Sequence, residues 1–372
     1  MPSSSPCLAE IHDVALLDLD GVVYVGRDAV PHAAGSLDEA RTRFGMRSVF
    51  VTNNASRPPR VVAEHLVELG VRAEPGDVVT SAQAGARMLA DLVEPGSAVL
   101  AVGGPGVAEA LRERGLTPVR SADDGAVAVL QGYGPEVGWA QLAEASLVIG
   151  RGFPWVATNM DATIPTPRGR VLGNGSLVAA LQHSSGVVPM VAGKPETPLM
   201  RESVERAGAL RPIVVGDRLD TDIEGAARTG IPSLLVLTGV TDWQDLIGAS
   251  RAHRPTHLGR DLRALLEPIP EIDVAFSPDT VEARCRRAIV SAPRARDSAP
   301  RVPAAPVDGP ADGRAGDPLW WVPARIRDTG RGHGADMDMA DLDVARALVA
   351  ISWAVDDAGS RIADEARVHA DG

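Results

Sequence analysis

Residues 16–24 read Leu-Leu-Asp-Leu-Asp-Gly-Val-Val-Tyr, and this stretch decides the fold. The apolar run 14–17 is typical of a buried strand in a parallel sheet, and it would carry two carboxylates at its end. Because residues two apart in an extended chain project to the same side, Asp18 and Asp20 can face one reacting centre. Gly21 then lets the chain turn without crowding that centre.

Two neighbouring carboxylates at such a strand end can divide the work of a reaction. One can attack as a nucleophile while the other moves protons, and a divalent cation would offset their mutual repulsion. For this motif alone, two solvated acids at the end of a strand remain an equal alternative. The rest of the sequence decides between them.

Composition limits the class of protein. The chain has 372 residues, of which 45% are hydrophobic and 3% aromatic, so we expect at least two domains with cores of Ala, Val and Leu. A formal net charge of −12 argues against nucleic acid or a membrane surface as a partner, but not against a small phosphorylated metabolite. Two cysteines, Cys7 and Cys285, exclude a disulfide framework. No signal-peptide pattern and no apolar run of about 20 residues is present, which predicts a cytoplasmic protein.

The order of predicted elements indicates an α/β fold. Short β-rich runs alternate with helical segments to about residue 270, which is typical of parallel sheets. We predict a doubly wound, Rossmann-like parallel-sheet core over 10–83 and 188–272, with an inserted α/β cap domain over 84–187. The Pro- and Ala-rich composition after it predicts a disordered linker over 273–318. A small C-terminal region over 319–372, with a helix at 339–355, would complete a partly disordered tail.

Three further segments combine a strand end or an adjacent loop with reactive side chains. Residues 49–54 (Val-Phe-Val-Thr-Asn-Asn) end in a hydroxyl and two amides, and residues 193–195 are Gly-Lys-Pro. Residues 214–222 (Val-Val-Gly-Asp-Arg-Leu-Asp-Thr-Asp) form a buried strand that ends in acids. Taken singly, these segments could be a helix cap, a surface lysine and a turn. Together, at the edge where open α/β sheets bind ligands, they predict one site.

With these motifs the sequence resembles the haloacid dehalogenase superfamily of aspartate-nucleophile phosphatases. Within that superfamily it is similar to the NagD-like and nitrophenylphosphatase-like branch, also through residues 157–165 (Ala-Thr-Asn-Met-Asp-Ala-Thr-Ile-Pro) and 173–177 (Gly-Asn-Gly-Ser-Leu). The resemblance spans about residues 10–270. It implies the same core with an inserted α/β cap that can close over the site and exclude water.

The resemblance also implies catalytic and metal-binding roles. Asp18 would attack phosphorus and form an aspartyl-phosphate, and Asp20 would protonate the leaving alcohol and then activate water. Mg²⁺ would be held by Asp18, by the backbone carbonyl of Asp20 and by Asp217. Asp222 would contact metal-bound water or orient the lysine of residues 193–195 rather than bind the metal directly.

Substrate contacts are implied in both the core and the cap. Thr52, the backbone of Asn53 and Lys194 would hold the phosphoryl oxygens, whose charge must be stabilised in the transition state. The segment 157–165 would recognise the leaving group, and its candidate residues are Asn159, Asp161 and Thr163. A polar turn that closes a strand is the alternative for that segment.

Asp20 distinguishes between two reactions that members of this superfamily catalyse. A dehalogenase needs no acid to protonate a halide, whereas a phosphatase must protonate an alkoxide, so we expect phosphomonoester hydrolysis. Similarity of the whole chain to glycerol-3-phosphate phosphatases with a rudimentary acetyltransferase-like tail favours glycerol 3-phosphate. Phosphoglycolate, pyridoxal phosphate and sugar phosphates remain alternatives, as does a non-catalytic protein that binds a phosphorylated metabolite.

One motif lies beyond the region of resemblance. Residues 327–332 (Arg-Asp-Thr-Gly-Arg-Gly) match the R-x-x-G-x-G pyrophosphate loop of N-acetyltransferases. The region around it is too short for a complete acetyltransferase, so we expect a degenerate remnant or a docking tail. The sequence leaves a homo-oligomer open.

Overall fold

The computed structural model describes residues 5–166, 168–286, 288–293, 342–357 and 367–370. They fall into two compact units. The larger comprises Pro6–Val240 and Ala252–Glu267, and the smaller includes Thr241–Arg251 and the described residues from Pro268 onward.

A six-stranded parallel sheet, here called the core sheet, organises the larger unit. Its strands, in spatial order, are His257–Gly259, Ser233–Val236, Pro212–Gly216, Val14–Leu17, Arg47–Thr52 and Val78–Thr80. The first strand of the chain is central and wholly buried, and Leu17 pairs with Val215 on one side and Phe50 on the other. Chain order reverses at this strand, so its carboxyl end lies at the switch point where open α/β sheets bind ligands.

A second parallel sheet, the cap sheet, is inserted between core strands Val78–Thr80 and Pro212–Gly216. Its strands, in spatial order, are Met190–Val191, Trp155–Ala157, Val129–Gln131, Ala98–Val102 and Thr117–Val119. An antiparallel hairpin, Thr163–Thr166 with Gly169–Leu172, follows the strand at 155–157. The predicted boundary at 187 is early, because Met190 pairs with Val156 of the cap sheet.

Helices flank both sheets, which confirms the predicted fold class. In the larger unit the α-helices are Leu8–Ile11, Ala33–Phe44, Pro59–Glu68, Ser81–Ala90, Pro105–Glu113, Trp139–Gly150, Asn174–Ser185, Thr197–Ala207 and Glu224–Thr229. A π-helical turn, Leu219–Ile223, precedes the last of these, and a small hairpin joins Tyr24–Val25 to Asp28–Ala29. One hydrophobic cluster of mostly Ala, Val and Leu contains residues of both sheets, such as Leu16 and Val51 with Leu130 and Val156.

The smaller unit corrects the predicted linker. Strands Ile272–Phe276, Thr280–Cys285, Ala288–Pro293 and Arg367–Ala370 form an antiparallel sheet, which the helices Leu342–Asp357 and Trp243–Ile247 accompany. Disorder predicted over 273–318 is therefore wrong where these strands lie. Alternation buries Val281, Ala283 and Cys285 against the helix, a pattern that the Pro- and Ala-rich composition obscured. The remaining linker, 294–318, and the 327–332 motif lie outside the described residues.

The helix predicted at 339–355 is confirmed as Leu342–Asp357. Within the described ranges, no helix combines the length and the apolar content that crossing a bilayer requires.

Candidate active site

The two motif acids follow the central core strand directly, but their surroundings differ. The backbone N–H of Asp18 donates to the Val215 carbonyl at 2.9 Å, and the Asp18 side chain is only 15% exposed. Asp20, in contrast, is exposed to solvent. Gly21 follows with a φ of +89°, and a Cβ there would lie 2.5 Å from Oδ2 of Asp217. Both the turn and this close approach therefore require glycine.

Lys194 is the buried cation of the site. Its Nζ donates to Oδ1 of Asp18 at 2.5 Å, to Oδ1 of Asp222 at 2.7 Å and to the Val51 carbonyl at 3.3 Å. The side chain is 3% exposed, and burial alone would lower its pKa. The two carboxylates outweigh burial and raise the pKa of Lys194, so the ammonium is charged at neutral pH.

Three carboxylates converge on a cradle that fits a divalent cation. Asp18, Asp217 and Asp222 place oxygens within 4.8 Å of one another. Asp217 is fully buried; its Oδ2 accepts from the Val240 N–H at 2.7 Å, while its Oδ1 has no hydrogen-bond partner among the residues that the structure describes. A buried, unpartnered carboxylate oxygen beside two further acids is the donor set that Mg²⁺ prefers.

Burial raises the pKa values of two of these acids, because one nearby ammonium does not compensate their charge fully. Desolvation raises the pKa of Asp18 to about 7, although Lys194 opposes the shift. Burial, followed by the charge of Asp222, raises the pKa of Asp217 to about 6. An additional cation would favour the ionised form of both groups.

The Thr52–Asn53 loop adjoins this cluster. Thr52 is 7% exposed, and its Oγ1 accepts from the Asn54 N–H at 3.1 Å, so the hydroxyl proton is free for another acceptor. Oδ1 of Asn53 accepts from the Lys194 N–H at 2.8 Å, and its Nδ2 donates to the Lys194 carbonyl at 3.0 Å. The Asn53 side chain therefore joins the two segments that were predicted to bind the phosphoryl group. The sequence had predicted a role for the Asn53 backbone only.

Two of the three cap candidates, Asn159 and Asp161, differ in accessibility. Asn159 is 4% exposed; its Nδ2 donates to the Asn53 carbonyl at 2.7 Å, and its Oδ1 accepts from the Asp161 N–H at 3.1 Å. Both ends of the Asn159 amide are thus engaged within the protein. Asp161 is half-buried, with Oδ2 at 3.5 Å from Nδ2 of Asn53, and burial raises its pKa against the opposing charge of Arg218. Asp161 is the better placed of the two to meet a leaving group.

Sequence reasoning missed the loop that closes the site beyond strand Ser233–Val236. Oγ1 of Thr238 donates to the Gly21 carbonyl at 2.5 Å, and Val240 holds Asp217 as described above. A Cβ at Gly239 would clash with the Asp217 carboxylate. The available signal was a Thr-Gly pair directly after a buried strand, at the same edge of the sheet.

Family comparisons agree with this geometry. Residues 15–117 match the model described as haloacid dehalogenase-like hydrolase, and residues 191–265 match a HAD-hydrolase-like model. The two segments contain the Asp18, Lys194 and Asp217 motifs.

Individual relatives are phosphatases by name. The chain is 49% identical over 271 residues to D-glycerol 3-phosphate phosphatase of Mycobacterium tuberculosis, covering 73% of this chain and 76% of that protein. It is 35% identical over 260 residues to acid sugar phosphatase of Staphylococcus aureus, covering 69% of this chain and 97% of that protein. A crystal structure of M. tuberculosis glycerol phosphate phosphatase with magnesium aligns with a TM-score of 0.69 and 46% identity, over 75% of this chain and 87% of that one.

Proposed function

The chain belongs to the haloacid dehalogenase-like hydrolases, and on that premise we propose that it removes phosphate from a small metabolite, with glycerol 3-phosphate as the favoured substrate. It is a phosphoric monoester hydrolase of this family, and its cofactor is Mg²⁺. The observation that carries the assignment of residues is the buried Lys194 ammonium, which contacts both Asp18 and Asp222 beside the unpartnered oxygen of Asp217.

Asp18 is the nucleophile and Asp20 the general acid and base. A carboxylate oxygen of Asp18 attacks phosphorus, the ester P–O bond breaks, and Asp20 gives its proton to the departing alkoxide. Asp20 then takes a proton from a water molecule, which attacks the aspartyl-phosphate and releases inorganic phosphate with Asp18 restored. Exposure of Asp20 to solvent suits a group that must exchange protons twice in each cycle.

Neighbouring groups stabilise the transferring phosphoryl group. Lys194 supplies positive charge, and the hydroxyl of Thr52 can donate to a phosphoryl oxygen. Asp18, the backbone carbonyl of Asp20 and Asp217 would hold Mg²⁺. When bound, Mg²⁺ neutralises the repulsion between the Asp18 carboxylate and the phosphate.

Recognition of the leaving group falls to the cap. The polar edge made by Asp161 and Nδ2 of Asn53 suits the hydroxyls of a glycerol moiety, as does the similarity to a glycerol-phosphate phosphatase. Because Asp161 would repel a second anion, it disfavours phosphoglycolate. A sugar phosphate is the second candidate, which the similarity to an acid sugar phosphatase supports. Pyridoxal phosphate stays an alternative substrate. A cytoplasmic location stays a prediction from the sequence, which leaves room for a homo-oligomer.

Phosphate release from a panel of phosphomonoesters, with Mg²⁺ or with EDTA, tests this function. The panel contains glycerol 3-phosphate, sugar phosphates, phosphoglycolate and pyridoxal phosphate, and the variants are Asp18→Asn and Asp217→Asn. We expect Mg²⁺-dependent turnover, highest on glycerol 3-phosphate, and loss of turnover in Asp18→Asn with the fold retained. A folded wild-type protein that binds Mg²⁺ but releases no phosphate from any ester would favour the non-catalytic alternative.

A further inference from the structure

Besides its place next to Asp161, the Asn53 side chain makes contacts that the hydrolytic roles above do not use. It lies just past the end of core strand Arg47–Thr52, and its amide forms two hydrogen bonds with the backbone of Lys194, a residue 141 positions away. Oδ1 and Nδ2 of Asn53 thus bond both the backbone N–H and the backbone carbonyl of Lys194. Such a pair fixes the position and the orientation of the backbone that it holds.

The segment that carries Lys194 belongs to no helix or strand. It lies between the short cap strand Met190–Val191 and helix Thr197–Ala207, outside either element. The Gly193 carbonyl accepts from the Glu196 N–H at 3.0 Å, which closes a turn around the lysine. A Cβ on Gly193 would lie 2.6 Å from Oδ1 of Asn53, so glycine is what permits the two segments to approach.

Lysine needs this kind of support more than other cations do. Its ammonium is a point charge on a flexible four-carbon chain, so its reach depends on where its backbone is held. Here Nζ must meet Asp18 and Asp222 together at 2.5 and 2.7 Å. A small displacement at the backbone would move the charge away from the phosphoryl oxygens.

The same residue also connects the core to the cap. The Asn53 carbonyl accepts from Nδ2 of Asn159 at 2.7 Å and from Oγ of Ser81 at 2.6 Å, and its Nδ2 lies 3.5 Å from Oδ2 of Asp161. Asn53 therefore contacts both the segment that would read the leaving group and the segment that holds the phosphoryl group.

We propose that Asn53 is a positioning residue, whose side-chain amide clamps the Lys194 backbone so that its ammonium is aimed at the nucleophile. This inference rests on the proposed hydrolysis. The clamp nevertheless predicts a property of the resting protein that does not depend on turnover, namely protection of the Lys194 amide against hydrogen exchange.

Asn53→Ala tests the clamp, with Asn54→Ala as the matched control. The neighbouring Asn54 uses its side chain for a local turn, in which Oδ1 accepts from the N–H and the hydroxyl of Ser56 at 2.9 and 2.7 Å. Asn53→Ala should lower kcat by roughly 10- to 100-fold with a smaller change in KM, and it should speed exchange of the Lys194 amide. Asn54→Ala should leave that exchange at the wild-type rate.

A second variant separates the two hydrogen bonds of the clamp. Asn53→Asp can still accept from the Lys194 N–H but cannot donate to its carbonyl, and it adds a charge beside Asp161. It should keep the Lys194 amide protected while kcat falls. Equal exchange rates in Asn53→Ala and wild type, or equal damage from Asn54→Ala, would overturn the clamp. A wild-type protein without phosphatase activity but with the expected exchange pattern would overturn only the proposed function.

Discussion

Two clusters of charged side chains in the larger unit differ in how the charge of their buried acids is compensated. At the candidate active site, the carboxylates of Asp18, Asp217 and Asp222 meet the single ammonium of Lys194. In the other cluster, the carboxylate of Glu202 is 1% exposed and accepts hydrogen bonds from three arginines. Those arginines are Arg87, Arg114 and Arg206, and they belong to or directly follow three different helices.

Because the two clusters differ in the number of cations around each buried carboxylate, the pKa values of their acids shift in opposite directions. Burial raises the pKa of Asp18 to about 7 and that of Asp217 to about 6. Burial acts on Glu202 in the same direction, but the arginines outweigh it and hold its pKa below the usual value. Burial therefore produces two kinds of acid. The active-site acids are stabilised in their ionised form when a further cation binds, whereas the ionised Glu202 stabilises the fold without one.

Removing the ammonium from the under-compensated cluster should have the largest effect. Lys194→Met keeps the volume of the side chain and removes the charge that faces the phosphoryl group, so kcat should fall by about a thousandfold or more. Because Mg²⁺ would compensate the remaining carboxylates, the rise in Tm on adding Mg²⁺ should be at least as large as in wild type. Phosphate release and thermal melts with EDTA or Mg²⁺ measure both. A variant that loses its response to Mg²⁺ would contradict this account of the cluster.

Glu202→Gln makes the corresponding change in the cluster around Glu202. It replaces the buried carboxylate with a neutral amide, while Arg87 keeps its contact with Glu205 and Arg206 keeps its contact with Glu113. The loss is therefore that of the charged hydrogen bonds to Glu202, and the free energy of unfolding should fall by about 1–3 kcal/mol. Urea denaturation measures the loss, and phosphate release per folded molecule should stay at the wild-type level. Lost activity without lost stability would mean that this cluster serves the reaction.

Sequence reasoning found the first cluster but could not find the second. Asp18, Lys194 and Asp217 lie in short motifs at the ends of strands, and parallel strands bring such ends to one edge, so local pattern was enough. Glu202 lies in the middle of a helix and in no motif. Arg206 is one turn further along the same helix, but Arg87 and Arg114 come from distant segments. Only the packing of the helices reveals that its carboxylate is buried.

The same limit explains the other differences. The Asn53 amide contacts a backbone 141 residues away, and no periodicity encodes that contact. Strands Thr280–Cys285 and Ala288–Pro293 are short and lie in a stretch, 277–318, that is rich in Pro, Ala and Arg, so the composition of the whole stretch outweighed their alternation. Their burial depends on helix Leu342–Asp357, which lies some fifty residues further along the chain.

The pH dependence of stability should separate the two clusters by sign. Asp18 and Asp217 hold protons more tightly in the folded protein, so in EDTA the free energy of unfolding should fall as pH rises from about 4 to about 7. Glu202 has a lowered pKa, so its contribution is present above its unfolded pKa and is lost as pH falls through its folded value. Melting curves between pH 3 and 8 should show Asp217→Asn flattening the first slope and Glu202→Gln the second. Identical profiles in wild type and both variants would refute the assignment.

The smallest effect should come from Glu205→Gln, which tests whether burial or the ion pair itself separates the clusters. Nη1 of Arg87 contacts Glu202 at 2.8 Å and Glu205 at 2.6 Å, but the Glu205 side chain is 64% exposed. Glu202 and Glu205 therefore share the same helix and the same arginine, and they differ in how far the carboxylate is buried. Solvent screens an exposed pair, so the expected loss is below about 0.5 kcal/mol, close to the resolution of a urea titration. A loss from Glu205→Gln as large as that from Glu202→Gln would show that contact with Arg87, rather than desolvation of the carboxylate, accounts for the stability of this cluster.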